Sequence, residues 1–217
     1  MNYSKLNNNY CYILIGWEVS KNYLINMHIL TKCKMKKIRL NKKDGSIVEA
    51  EIKLLDLSYI DKIMVLQRNI YDGLEDKSFY ACSDKEEFEN TIKGKGKIIG
   101  CVSLRDNELI AIGVYIEYGY ENHNYGYDIN IEGEELLKVG QLESTLVLEN
   151  YRGNRLQKIM CEILEEIGKD AGKKYICATA APDNKYSVST FEKLGYRIMA
   201  DKLKYGGLRR YVLMKEL

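Results

Sequence analysis

Histidine and proline are scarce in this chain of 217 residues. The two histidines are His28 and His123. A histidine-rich metal site and a Ser-His-Asp catalytic triad are therefore excluded in practice, and we predict no bound metal. The only proline, Pro182, lies where we expect the chain to turn into a helix.

Paired cysteine motifs are also missing. The six cysteines are scattered along the chain, and no two of them form a C-x-x-C pair. Several lie in apolar runs, as buried reduced thiols do. Nothing else in the sequence suggests the oxidising compartment that disulfides require.

Long apolar runs are absent. None approaches the ~20 residues that a helix needs to cross a bilayer. The apolar run Tyr10–Trp17 is too short for the core of a signal peptide and is followed by Glu18. We therefore predict a cytoplasmic protein that does not contact a membrane.

A strong charge of one sign is absent too. Lysine and arginine number 33 against 31 aspartates and glutamates, which gives a formal net charge of +2. Such a balance provides no overall attraction to nucleic acid. A basic cluster between Lys32 and Lys43 could touch nucleic acid, but a solvated strand and turn is the favoured interpretation. We predict no nucleic-acid partner.

The length suits one domain with an extension. We interpret residues 1–34 as an N-terminal extension of uncertain structure and residues 35–217 as a single domain. Met35 opens that domain and could also be the natural start of translation. The hydrophobic patterns in the domain predict a β-hairpin, two helices, three strands, a helix, a strand, a helix and two final strands. This order indicates an α/β protein with a mixed sheet and helices on both faces.

The stretch Leu142–Ile167 predicts a strand that runs directly into a helix. Leu142–Leu148 is apolar and rich in β-branched residues, and apolar residues recur at helical spacing from Leu156 to Ile167. The polar turn between them contains a glycine and two arginines. Unpaired N–H groups and the helix dipole favour phosphate at such a turn, and arginines strengthen the attraction. We interpret the turn as an anion or pyrophosphate site, although a turn that binds nothing would share this pattern.

Two segments resemble the motifs of the GNAT superfamily of acyl-CoA-dependent N-acyltransferases. Arg152–Gln157 is similar to the pyrophosphate-binding motif R-x-x-G-x-G/A, but Arg155 and Gln157 occupy its two small positions. Asn184–Tyr196 agrees in spacing with the motif N-x-x-A-x-x-x-Y-E-K-x-G-F. The resemblance extends over about Glu51–Leu217. It implies a mostly antiparallel sheet with helices on both faces and a splayed central strand pair.

The resemblance further implies that acetyl-CoA is the acyl donor. Its pyrophosphate would lie on the N–H groups that follow Arg152, and its pantetheine arm would lie in the gap between the splayed strands. The N–H group near Val147 would polarise the acetyl carbonyl. The residues implied in binding are Leu146, Val147, Leu148, Arg152, Gly153, Asn154, Arg155, Leu156, Gln157, Asn184, Ser187 and Phe191.

One catalytic position departs from the family pattern. Phe191 stands where many members carry the tyrosine that protonates the leaving thiolate, and phenylalanine cannot donate a proton. Tyr186 and Tyr205 are our candidates for that acid. A place in the packing or in the pocket wall is the alternative for both.

Glu143 is the predicted general base. It has the same parity along the central strand as Thr145 and Val147, so we expect the three side chains to share one face. A solvated glutamate at a strand end is the alternative. Gln141 shares that face but cannot act as a base.

The predicted activity is the transfer of an acetyl group from acetyl-CoA to a primary amine by direct attack in a ternary complex. The acceptor, a small molecule or a peptide, is left open, and so is a homodimer. Arg209 could pair with an acceptor carboxylate, with a solvated arginine as the alternative. The alternative function is a catalytically impaired GNAT-like module that binds acyl-CoA or regulates a partner.

Overall fold

The computed structural model of the protein describes residues 36–217. Our predictions for residues 1–34 and for Met35 lie outside these residues. Strands and helices follow one another in the predicted order. They are β1 (Lys36–Asn41), β2 (Ile47–Leu54), α1 (Ile60–Asp72), α2 (Lys85–Asn90), β3 (Gly96–Ser103), β4 (Leu109–Ile116), β5 (Val139–Val147), α3 (Leu156–Asp170), β6 (Tyr175–Ala180), α4 (Lys185–Lys193), β7 (Arg197–Lys204) and β8 (Leu208–Glu216).

The eight strands form one sheet in the order β1-β2-β3-β4-β5-β6-β8-β7. All neighbouring strands are antiparallel except β5 and β6, which are parallel. The predicted mixed, mostly antiparallel sheet is confirmed.

The central pair β5 and β6 separates part of the way along its length. The two strands pair from Val139 opposite Tyr175 to Leu142 opposite Ala178. Beyond Leu142, β5 continues to Val147 without pairing to β6. A gap therefore opens in the middle of the sheet, as the predicted splay requires. The sequence predicted that β5 begins at Leu142, whereas the segment that pairs with β6 begins at Val139.

A bulge interrupts β5 beside the gap. The register of β5 against β4 shifts at Gly113, so that β5 has one extra residue there. Ser144 within the bulge has a φ of +27°. A bulge breaks the alternation of faces along a strand. The expected common face for Glu143, Thr145 and Val147 depended on an alternation that β5 does not keep.

Helices cover both faces of the sheet, as predicted. Ile112 and Val114 of β4 pack in one core cluster with Ile63 of α1. Gly113 between them faces the opposite side, where a Cβ atom would lie 3.0 Å from Leu164 of α3. The missing side chain lets α3 approach the sheet closely. Among residues 36–217, no helix has the length and apolar character of a membrane span.

Candidate active site

A cleft of about 1790 Å³ opens where β5 and β6 separate. We call the part formed by Arg152, Gly153 and Arg155–Lys158 the turn end, and the part formed by Tyr80, Tyr118, Tyr125 and Tyr205 the tyrosine end. The cleft is lined by most of the predicted site residues. They are Glu143, Leu146, Val147, Arg152, Gly153, Arg155, Leu156, Gln157, Asn184, Tyr186, Ser187, Phe191 and Tyr205.

Leu148 and Asn154 do not line this cleft. Leu148 packs against the core cluster beneath α1. Asn154 accepts a hydrogen bond from the Asn41 N–H (2.9 Å) and donates to the carbonyl oxygens of Asn41 (2.8 Å) and Tyr151 (2.9 Å). Its side chain holds the turn against β1. Both side chains therefore make structural contacts outside the cleft, and the predicted ligand contact of the backbone N–H groups in the turn stays a prediction.

The backbone of the turn is left-handed at two positions. Arg155 precedes α3 with a φ of +58°, and Gly153 has a φ of +92°. The left-handed conformation costs a non-glycine residue roughly 1–2 kcal/mol. Arg155 occupies the position where the related motif has glycine, and it adopts a left-handed conformation that glycine favours.

The turn end is positively charged and open to an anion. Arg152, Arg155 and Lys158 line it. The N-cap residue of α3, Arg155, forms no side-chain capping hydrogen bond, and the first turn of the helix contains no acidic residue. Glu149 nearby pairs with Lys43 (2.5 Å) and also interacts with the charge of Arg152. Unpaired N–H groups, the helix dipole and cationic side chains together suit a phosphate group.

Gln157 is the second departure from the motif, and its side chain crosses the gap. Its amide nitrogen donates to Thr145 Oγ1 on β5 (3.3 Å) and to Ser187 Oγ on α4 (3.1 Å). A glycine or alanine at this position would leave that space open. Arg155 thus adopts a backbone conformation typical of glycine, whereas Gln157 narrows the gap beside it.

The start of α4 forms the other wall of the gap. Asn184 caps this helix by accepting a hydrogen bond from the Ser187 N–H (3.2 Å). Phe191 is buried against the ring of Tyr196, with 5.1 Å between ring centroids. Asn184 therefore has a structural role, and Phe191 closes the wall with an apolar ring.

Glu143 lies at the tyrosine end within a chain of hydrogen bonds. Its carboxylate accepts from Gln141 Nε2 (3.1 Å) and from the hydroxyl of Tyr125. The buried Gln141 also accepts from the Tyr125 N–H (2.5 Å). Desolvation raises the pKa of Glu143 to about 7, although the bonds from Tyr125 and Gln141 and the charge of Lys204 oppose the rise.

The two predicted acid tyrosines occupy different surroundings. The Tyr205 hydroxyl contacts the Tyr125 hydroxyl and lies 3.0 Å from Thr179 Oγ1. Burial raises the pKa of Tyr205 above its usual range. Tyr186 lines the rim, and the residue is 89% exposed. Only Tyr205 therefore joins the chain of hydrogen bonds that reaches Glu143.

Sequence reasoning missed Tyr125 and Arg210. Tyr125 lies between β4 and β5, outside both motifs and outside the stretch Leu142–Ile167. Arg209, considered for an acceptor carboxylate, instead pairs with Asp201 (2.6 Å). The neighbouring Arg210 is buried and lines the cleft. The alternation of side chains along β8 could have indicated that Arg210 is buried, because Arg210 and the buried Val212 lie two positions apart and share one face of the strand.

A backbone donor faces the gap as well. The Leu148 N–H donates to the Ile110 carbonyl of β4 (3.0 Å). Successive N–H groups along a strand point in opposite directions. The preceding N–H, that of Val147, is therefore directed away from β4 and toward the gap.

Comparisons with known proteins agree with this architecture. An acetyltransferase (GNAT) family model matches residues 59–196. No curated protein matches the sequence.

Three solved structures show the same fold at low identity. A GNAT-family acetyltransferase from Listeria monocytogenes is 17% identical, with a TM-score of 0.60 over 84% of this chain and 100% of its own. The GNAT domain of an S. lividans protein is 15% identical, with a TM-score of 0.58 over 83% and 97%. An acetyltransferase from Salmonella typhimurium, solved with acetyl-CoA, is 14% identical, with a TM-score of 0.57 over 77% and 94%.

These likenesses concern the fold, whereas the family match covers most of the sequence, including the turn and the wall of the gap. The chain belongs to the GNAT family of acetyltransferases.

Proposed function

We propose that the protein transfers an acetyl group from acetyl-CoA to a primary amine, with both substrates bound together. The observation that carries this proposal is the pairing of two features in one cleft. One is a carboxylate, Glu143, whose pKa is raised to about 7. The other is the positively charged, uncapped start of α3 at the turn end.

The turn end fits the pyrophosphate of acetyl-CoA. Arg152 and Arg155 supply positive charge, and the first N–H groups of α3 supply donors without competition from a side-chain cap. The gap between β5 and β6 suits the pantetheine arm, because the two strands do not pair beyond Leu142. Acetyl-CoA, once bound, supplies the acetyl group.

Glu143 suits the role of general base. A primary amine is largely protonated near neutral pH and must lose a proton before it can attack. A base is most effective when its pKa lies near the working pH. Glu143, with a pKa of about 7, would hold that proton, and Gln141 and Tyr125 would keep its carboxylate oriented. The Val147 N–H, directed toward the gap, would polarise the carbonyl under attack.

Tyr205 is the better-placed candidate for the acid. Its hydroxyl contacts Tyr125, which bonds to Glu143. A proton taken up at Glu143 could thus reach Tyr205 through neighbouring hydroxyls. Tyr186 has no such connection among the described residues and is exposed at the rim. We infer that Tyr205 supplies the proton that Phe191 cannot supply.

The test is thiol release from acetyl-CoA by purified protein with a panel of amino acids, polyamines, aminoglycosides and short peptides. We expect release that depends on an amine and yields the acetylated amine by mass spectrometry. Micromolar binding of acetyl-CoA without release from any amine would favour the alternative, an impaired acyl-CoA-binding module. Two observations favour that alternative. Phe191 cannot donate a proton, and the Gln157 side chain bonds across the gap to Thr145 and Ser187.

Replacing Gln157 with alanine is expected to tighten acetyl-CoA binding about 5- to 30-fold. The pantetheine arm must displace the Gln157 amide from Thr145 and Ser187, and two such hydrogen bonds cost about 1–2 kcal/mol to break. Calorimetric titration measures the change. Ser187→Ala, which removes one acceptor and keeps the glutamine, should show a smaller gain. Weaker binding by Gln157→Ala would mean that the amide contacts the ligand directly.

The cytoplasmic location and a homodimer stay predictions. The choice between a small-molecule and a peptide acceptor depends on the tyrosine end of the cleft, where the acceptor amine must meet Glu143.

A further inference from the structure

A buried guanidinium at the tyrosine end has an incomplete set of partners. Arg210 of β8 is 3% exposed and lines the cleft. Its Nη1 donates to the Arg209 carbonyl oxygen (2.8 Å). Its Nη2 is buried and has no hydrogen-bond partner among residues 36–217. The guanidinium also lies over the ring of Tyr205, 5.6 Å from the ring centroid.

Acidic side chains near Arg210 are engaged elsewhere. Asp128 pairs with Lys204 and lies 3.6 Å from Lys202. Asp201 holds Arg209. Asp76 acts on Arg210 only through its charge, and its carboxylate accepts from the Ser78 N–H (2.8 Å). No carboxylate among residues 36–217 forms an ion pair with Arg210 within 4.0 Å.

A buried charge without an ionic partner is costly, and proteins almost always pair such a group. The planar fork of arginine matches a carboxylate, which can accept two parallel hydrogen bonds. A ligand carboxylate would supply the missing acceptor and the missing charge at Arg210.

The position of Arg210 relative to Glu143 indicates which ligand this is. Glu143 bonds to Tyr125, Tyr125 contacts Tyr205, and Arg210 lies over Tyr205. The proposed base and the unpaired guanidinium therefore flank the same pair of tyrosines. A molecule that places its amine at Glu143 lies against this pair, and a carboxylate several bonds away can reach Arg210.

We propose that Arg210 binds a carboxylate of the acceptor, so that the substrate is an amine that also carries a carboxylate, such as an amino acid or a short peptide with a free C-terminus. This inference rests on the proposed acetyl transfer. It makes Arg210 a specificity-determining residue that does not participate in the transfer itself.

Matched acceptors with and without the carboxylate test the proposal. Lysine is compared with cadaverine, and a panel of amino acids and dipeptides is compared with the corresponding amides. With the native protein we expect kcat/KM to favour the carboxylate partner of at least one pair about 10-fold, mainly through KM. Arg210→Met should reduce that preference to about one, and Arg210→Lys should retain part of it. Arg68→Met, which removes a positive charge from an exposed position on α1 outside the cleft, should leave it unchanged. Equal kcat/KM for both members of every pair with the native protein would overturn the proposal.

Thermal unfolding gives a readout that does not require turnover. Arg210→Met without ligand should keep the Tm of the native protein, because it removes a charge that lacks an ionic partner. A clear fall in Tm would instead assign Arg210 a structural role and contradict the proposal. The favoured carboxylate acceptor should raise the Tm of the native protein but not that of Arg210→Met.

The two proposals can fail separately. If no amine releases thiol but the carboxylate still raises the Tm through Arg210, the acetyl transfer is wrong and the carboxylate site stands. If amines are acetylated without any preference for a carboxylate, the transfer stands and the role of Arg210 is wrong.

Discussion

Replacing Glu143 with glutamine is expected to lower kcat/KM for acetyl transfer about 10²- to 10³-fold. General base catalysis contributes about 10²- to 10⁴-fold to rate, and glutamine cannot accept the proton. The substitution preserves the size of the side chain and its place beside Gln141 and Tyr125. The measurement is thiol release with saturating acetyl-CoA and a varied amine concentration. Glu134→Gln, on an exposed surface outside the cleft, is the matched control and should keep native activity.

The pH dependence of kcat/KM is a second test of Glu143 as the base. The native kcat/KM should rise with pH through about 7, the pKa of Glu143, because the base acts only when it has lost its proton. The Glu143→Gln variant should lose this inflection while the titration of the amine itself persists. An acceptor amine whose own pKa lies far from 7 keeps its titration apart from that of Glu143. A native inflection near 7 that survives in the variant would assign it to another group.

Stability distinguishes loss of a base from loss of the fold. The raised pKa means that the folded protein holds a proton on Glu143 at pH values where the unfolded chain has lost it. The contribution of Glu143 to stability is therefore greatest at low pH and falls as the pH rises toward 7. Glu143→Gln should be at least as stable as the native protein at pH 8. A marked fall in its Tm would show that the carboxylate is needed for folding.

Replacing Arg152 with alanine is expected to weaken acetyl-CoA binding about 10- to 100-fold. A hydrogen bond to a charged group contributes about 1.5–3 kcal/mol, and Arg152 lines the turn end beside the uncapped start of α3. Calorimetric titration of the native and variant proteins measures the difference. An unchanged dissociation constant would place the pyrophosphate elsewhere and remove the main support for the turn as its site.

A variant that loses one positive charge outside the cleft provides the control for Arg152→Ala. Arg68→Ala removes one positive charge from an exposed position on α1, outside the cleft, and should bind acetyl-CoA as the native protein does. The affinity of the native protein should also fall as salt is raised, since ions screen exposed charges. The Arg152→Ala variant should show a shallower fall because one of the contributing charges is gone.

The order of elements was predictable because each element is marked by local chemistry. The stretch around Leu156–Ile167 has the apolar spacing of a helix and forms α3. Asn184 has the chemistry of a cap and caps α4. Such signals depend on residues a few positions apart, which is the range that periodicity and capping describe.

Two features of the candidate site could not be predicted from local sequence patterns. The left-handed conformation of Arg155 could not be predicted from its residue type, because arginine rarely adopts it and the surrounding turn imposes it. The shared face of Glu143 and Val147 followed from strict alternation, which the bulge at Ser144 breaks. A bulge depends on pairing with another strand, so one strand considered by itself does not reveal it.

The amino-acid sequence by itself determined the series of strands and helices, the polar turn before α3 and the resemblance that the family match confirms. Only the tertiary structure decided that β8 lies between β6 and β7, and that Tyr125 and Arg210 meet Glu143 and Tyr205 in one cleft. The first set arises from interactions between near neighbours in the chain. The second arises from strand pairing and burial between distant residues, which raise the pKa of Glu143 and leave Arg210 short of a partner.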